Sequence, residues 1–207
     1  MPRDEPVDPG LAKDARDLEL PPWQKGRYGT AVGRAVHAVL QTVDLSTGAG
    51  LAEAAAAQAA AEGVLGREAV VAALARSALA APAVLEAAGC PHWREVYVAA
   101  PVGDTLLEGY IDLLYRAADG LVVVDYKTDH LPDDASLEAR LEHYSRQGAA
   151  YALAVERVTG QPVSRCVFVF CSPAGARQRE VDDLPGVIAS LSADLGHGAI
   201  PSPPRGR

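Results

Sequence analysis

No pair of cysteines in this 207-residue chain has the C-x-x-C spacing of a redox motif or a zinc ribbon; there are three, Cys90, Cys166 and Cys171. An odd number without that spacing suggests neither a disulfide framework nor a zinc ribbon and suits a reducing cytosol. Long apolar runs are also missing. None approaches the roughly 18 residues that a bilayer crossing needs, and the N-terminus lacks the charged-then-apolar layout of a signal peptide. The expectation is a soluble cytoplasmic protein with no membrane contact. Positive charge is scarce too, since 19 Lys and Arg against 27 Asp and Glu leave a formal net charge of -8. That excludes coating nucleic acid by charge alone, because neutralising phosphates takes clustered cations. Any such contact must be local.

What is present is enough apolar residue, 49% of the chain, for one sizeable core. Residues 1–22, "MPRDEPVDPGLAKDARDLELPP", mix charge and proline without a period and read as an arm or linker, so a single domain is expected over 23–207. From Thr30 as N-cap, Val32, Ala35, Val36, Val39, Leu40 and Val43 recur at helical spacing. The Ala-rich segments 50–62 and 66–88 favour a helical insert punctuated by Gly63, Gly66 and Pro82. Then "REVYVAAPV", "TLLEGYIDLLYR" and "LVVVDYK" read as three antiparallel strands, the last two joined through "AADG". Helical spacing over 134–157, a strand over 164–172 and a closing helix over 180–195 complete the order.

The third strand is unusual because an apolar run ends on Asp125, Tyr126 and Lys127. A turn centred on Asp119-Gly120 sets Leu114 opposite Asp125 and Asp112 opposite Lys127, with their side chains on one face; a four-residue loop keeps that parity. Leu113, Tyr115, Val122, Val124 and Tyr126 then share the other face and bury against a helix. Two carboxylates so close repel, and a lysine relieves only part of it, so a hard divalent cation between the oxygens is the natural partner. A solvated ion pair with a spare acid is the plain alternative.

The whole set decides between them. "EGYID", twelve further residues and "DYK" resemble the PD-(D/E)xK nuclease signature in its RecB-like form, with His37 in "GRAVH" on the helix before the sheet and Gln147 and Tyr151 in "QGAAY" on the helix after it. The resemblance spans residues 28–172. It implies an α/β restriction-endonuclease-like core, a central mixed sheet of βββ and a further strand flanked by helices, and a metal-dependent DNase of the kind fused to superfamily 1 helicases. A helicase motor would then be a partner in the same or another chain, because no G-x-x-x-x-G-K-[ST] phosphate loop occurs here. Iron–sulfur branches of the family need four suitably placed cysteines, so no such cluster is expected.

Within that resemblance Asp112 and Asp125 would hold Mg²⁺ or Mn²⁺, His37 would add a nitrogen ligand and the Tyr126 carbonyl an oxygen. Lys127 would orient the attacking water and offset charge on the scissile phosphate. Gln147 and Tyr151 share a helical face with Tyr144 and would support the site or touch DNA, although ordinary core packing is an equal reading for the tyrosines. Glu95 stands where the family often has an acid on the first strand; a further ligand and a plain exposed glutamate both remain open. Glu108 is a weaker candidate for the same part. His92, His130, His143 and His197 read as surface residues, His130 being the nearest to the site. Lys25, Arg27 and Arg34 beside Trp23 and Tyr28 offer local charge and stacking for a single strand, against a plain reading in which the aromatics cap the core. The expected function is hydrolysis of single-stranded DNA in repair and recombination. A silent nuclease fold kept as a DNA-binding scaffold is the alternative.

Overall fold

The computed structural model describes residues 30–103, 105–128 and 134–196. The expected arm, Trp23, Lys25, Arg27, Tyr28, His130, His197 and the side chain of His143 lie outside the described residues. Helix α1, Ala31–Thr42, begins where the Thr30 hydroxyl accepts the Gly33 N–H at 3.0 Å, and it buries Ala35, Val36, Val39 and Leu40 as the spacing requires. The Ala-rich insert forms α2 (Leu51–Ala61), α3 (Glu68–Leu79) and α4 (Pro82–Ala88). Gly63, at φ 71, ends α2 in a Schellman arrangement: the Val64 N–H reaches the Ala59 carbonyl at 2.8 Å and its own N–H the Ala60 carbonyl at 3.2 Å. Pro82 opens α4 at a 74° bend from α3.

Strands β1 (His92–Val102), β2 (Thr105–Arg116) and β3 (Leu121–Lys127) follow, then α5 (Asp134–Thr159), β4 (Val163–Phe170), β5 (Arg177–Glu180) and α6 (Leu184–Gly196). The sheet order is β1-β2-β3-β4-β5, antiparallel except for β3 and β4, which run parallel across the α5 crossover. Helices α1–α4 pack on one face with Leu113, Tyr115, Val122, Val124 and Tyr126, while α5 and α6 pack on the other with Leu114, Val123, Phe168 and Phe170. This is a mixed sheet between helical layers, the expected α/β restriction-endonuclease-like architecture. Strand β5 was not anticipated: "RQRE" has no apolar alternation, and it forms by pairing with β4. It also delays the closing helix to Leu184. Among the described residues no single helix is long and apolar enough to cross a membrane.

The hairpin register differs from the sequence expectation. Arg116 pairs with Leu121 and Leu113 with Val124, so residues 117–120 form the connection, closed by the Ala117 N–H on the Gly120 carbonyl at 2.9 Å. Every pairing therefore moves by two residues, and Asp112 comes level with Asp125 rather than with Lys127. Parity is preserved for the paired residues, because the side-chain period of a strand is two, and Leu113, Tyr115, Val122, Val124 and Tyr126 share one face as expected. Asp112 does not share the other face with Lys127, since its carboxylate turns to His37 on the α1 side.

Candidate active site

After the Leu113 and Val124 pair, β2 leaves β3. The Asp112 carboxylate fills the seam: its Oδ2 accepts the Tyr126 N–H at 2.7 Å, where a ladder carbonyl would otherwise stand, and its Oδ1 lies 2.9 Å from His37 Nδ1. A second break lies on the other side of β2. Register partners run from His92 and Tyr115 to Val102 and Thr105, except at Glu95 and Asp112, and Glu95 has a left-handed backbone at φ 51. The two strands turn over at that point. Leu113 packs with α1–α4, whereas Ile111, two residues away, packs with α5, although a regular strand keeps such neighbours on one face. On the α1 side Arg94 anchors the turn by donating to the Leu40 and Val43 carbonyls at 3.2 and 2.6 Å.

These breaks gather unlike charges. Each of His37, Glu95 and Asp112 offers a ligand atom, and the three atoms lie within 4.8 Å of one another. Burial favours a neutral imidazole, but the charge and hydrogen bond of Asp112, with Asp125 behind, outweigh it and lift His37 to about 9. Burial and then the Asp112 charge push Glu95 up to about 7, His37 opposing. Asp125, 5% exposed, is also raised, by burial first and against the pull of Lys127. Its Oδ2 forms an ion pair with Lys127 Nζ at 2.6 Å. Acids placed this close resist ionising together, and a divalent cation between them would relieve that. The Tyr126 ring meets His37 edge-on at 6.1 Å, and its buried hydroxyl has no hydrogen-bond partner among the described residues.

Lys127 is held from the α5 side. Its Nζ donates to Gln147 Oε1 at 3.1 Å and lies 4.1 Å from the centre of the Tyr144 ring; Gln147 Nε2 in turn donates to the Tyr151 hydroxyl at 3.1 Å. Tyr144 is buried and stacks on Phe168 at 5.5 Å, so it serves the core and the lysine at once. The structure thus brings His37, Glu95, Asp112, Asp125, Tyr126, Lys127, Gln147 and Tyr151 to one end of the sheet. Glu108 points elsewhere, exposed and accepting from the Tyr97 hydroxyl at 3.1 Å. Arg34 is ion-paired with Glu62 at 2.8 Å, and His92, only half-buried, sits against the Cys90 carbonyl.

Two residues within the motifs carry a part that spacing did not show. A Cβ on Gly109 of "EGYID" would stand 2.7 Å from the Tyr151 ring, and one on Gly148 of "QGAAY" 2.6 Å from Cys166 Sγ. They let α5 lie close on the sheet. Only the recurrence of glycine inside both motifs could have pointed to it.

The model of the PD-(D/E)XK nuclease superfamily matches residues 15–196. The chain belongs to that superfamily. Among curated proteins it is similar to an ATP-dependent helicase/nuclease subunit of Carboxydothermus hydrogenoformans, 43% identical over 65 residues, which is 31% of this chain and 6% of that protein. The protein of the same name from Acetivibrio thermocellus is 39% identical over 70 residues, 33% of this chain and 6% of the relative. The matched segment is thus a small part of these relatives' length. Among solved structures, the crystal structure of SSO0001 is 17% identical with a TM-score of 0.39, over 79% of this chain and 73% of that one. PD-(D/E)XK nucleases use divalent metals, and the described residues include a cluster able to hold one.

Proposed function

We propose that residues 23–207 are a divalent-metal-dependent nuclease domain that hydrolyses phosphodiester bonds of single-stranded DNA. The observation that carries this is the meeting of two groups: the His37, Glu95 and Asp112 cluster, and a lysine fixed beside Asp125. Oxygen and imidazole donors of this kind suit Mg²⁺ or Mn²⁺, and the raised Glu95, Asp125 and His37 values fit a site designed around a cation. Asp112, Asp125, His37 and Glu95 would hold it, with the Tyr126 carbonyl as a further oxygen. A bound divalent ion polarises the phosphate and lowers the pKa of water.

The remaining work falls to the chain's own groups. Through its Tyr126 hydrogen bond Asp112 keeps one oxygen fixed in the seam, which orients the other toward His37. Lys127, oriented by Gln147 and by the Tyr144 face, would hold the attacking water and meet the charge that grows on the phosphate oxygens. Gln147 and Tyr151 position it and do not themselves touch the reacting atoms.

Similarity to helicase/nuclease proteins supports a helicase motor as partner, in the same or another chain, and a part in DNA repair and recombination. The net charge of -8 fits delivery of DNA by such a motor better than capture from solution. Three cysteines, two of them buried, support a reading without an iron–sulfur cluster. A silent, DNA-binding form of the fold is the second reading, and the full set of contacts orienting Lys127 counts against it. The test is cleavage of a labelled single-stranded oligonucleotide with Mg²⁺ or Mn²⁺ and with EDTA. Activity only with metal, abolished in Lys127→Ala while Mn²⁺ still binds, is expected; activity unchanged by EDTA would exclude the metal site.

A further inference from the structure

Beyond Glu95 and Asp112, β1 and β2 run on as a two-stranded ribbon that β3 does not accompany. One face of this ribbon is apolar and packs with α5 through Val98, Ala100, Val102 and Ile111. The other carries Tyr97 and Tyr110. They are direct register partners with ring centres 5.2 Å apart and planes at 51°, yet they remain 53% and 39% exposed. Two large aromatic rings left in solvent side by side are an informative exception, because single exposed apolar residues are ordinary and an exposed cluster is not. One ring is also fixed, since the Tyr97 hydroxyl donates to Glu108 at 3.1 Å.

Their place along the strands gives the pair a purpose. Tyr97 is two residues from Glu95 and Tyr110 two residues from Asp112, a step of about 6.6 Å along each strand. Both project from the face opposite α5, the side on which Asp112 turns to His37. The aromatic surface therefore begins where the carboxylate cluster ends.

We infer that the Tyr97 and Tyr110 pair is a stacking platform for the unpaired bases that flank the scissile phosphate. This rests on the nuclease reading and deepens it, because it names what the substrate must present: exposed base faces, which a duplex keeps stacked inside. Stacking on aromatic rings does not depend on sequence, so the platform selects strand state rather than base identity. Glu95, Glu108 and Asp112 surround it with negative charge and repel phosphates. Binding through this surface consequently requires a divalent cation at the neighbouring cluster.

The test is fluorescence anisotropy of two labelled oligonucleotides of equal length, one oligo-dT and one made of abasic residues, with the full chain in Ca²⁺ and in EDTA. The phosphates are the same and only the bases differ. In Ca²⁺ the parent protein should bind oligo-dT about tenfold or more tightly than the abasic strand. The double variant Tyr97→Leu and Tyr110→Leu, its fold checked by circular dichroism, should bind both alike, and the double phenylalanine variant should keep the preference. Equal binding of the two strands by the parent, binding of neither, or a preference that survives the leucine changes would overturn the inference. The comparison of strands on the parent stands even if the leucine variant fails to fold. Cleavage in Mn²⁺ is read separately. Cleavage without base dependence would keep the nuclease and leave the tyrosines to ribbon stability or a protein partner; base-dependent binding without cleavage would keep the platform and remove the nuclease.

Discussion

Glu95 and Asp112 face each other across β1 and β2 at the one position between Arg94 and Val102 where the register has no paired residues, and Glu95 holds a left-handed backbone there. A glutamate gains nothing locally from that conformation, which is disfavoured by about 1–2 kcal/mol for residues with a Cβ. Strain of this kind persists where the surroundings impose it, and it gathers at functional sites. Here it turns a carboxylate out of the ladder and toward His37 and Asp112.

Glu95→Asn should therefore stabilise the metal-free protein. Asparagine tolerates the left-handed region, which returns about 1 kcal/mol, and it also removes a carboxylate that Asp112 repels. The same change should weaken stabilisation by Mn²⁺. Thermal melts with and without metal read both effects. A plain exposed strand glutamate predicts that Mn²⁺ stabilises both proteins equally.

The pH dependence of the metal-free fold follows from the same cluster. His37 is raised from its ordinary 6.5 to about 9, so its contribution is full below about 6.5 and is lost as pH rises through about 9. Glu95 is raised from 4.5 to about 7, so its contribution too is lost on going up, between about 4.5 and 7. Both act in one direction. In EDTA the melting temperature should fall between pH 5 and pH 9, on the order of 5 °C. Saturating Mn²⁺ should shrink that fall, because deprotonated ligands bind metal best.

Most of the architecture could be read from the chain, because its signals were local. The helical spacing from Thr30 and the long β-rich runs each specify an element by themselves, and the parity of the hairpin survived a two-residue error in register. The turn at Glu95 could not be read. It results from Leu113 of β2 packing with α1–α4 and Arg94 of β1 bonding to the end of α1, while Val98 and Ile111 beyond the turn pack with α5, and no residue type near Glu95 announces it. For the same reason nothing in the sequence separates the exposed Tyr97 and Tyr110 from ordinary strand residues. The ion pairing of Arg34 with Glu62, 28 residues apart, was equally out of reach.

Gln147→Leu should lower kcat by about tenfold to a hundredfold, because Lys127 loses the acceptor that orients it at 3.1 Å. Mn²⁺ affinity should not change. Gln147→Glu keeps an acceptor toward Lys127 and should recover part of the rate. Equal loss of metal binding and of rate would show that Gln147 supports the fold rather than the lysine.

Gly148→Ala tests the close approach of α5 to β4. The added Cβ meets Cys166 Sγ at 2.6 Å and Phe168 at 3.2 Å, so overpacking of about 1–3 kcal/mol outweighs the ~1 kcal/mol gained in helix propensity. In a Cys166→Ala background the closer contact is removed and the one with Phe168 remains. The substitution should then be less destabilising than in the parent, which melting curves of the four proteins would show.

Whether His37, Glu95 and Asp112, with Asp125, form a divalent-metal site is tested most directly by calorimetric titration of Mn²⁺ at pH 7 in two buffers of different ionisation enthalpy. His37 at about 9 is almost fully protonated at that pH and Glu95 at about 7 is half protonated. Metal must displace these protons, so binding should release protons at pH 7, and fewer of them in His37→Gln. Asp112→Asn should abolish the binding heat. Binding without proton release would take His37 and Glu95 out of the site, and no binding at all would contradict a metal centre at this end of the sheet.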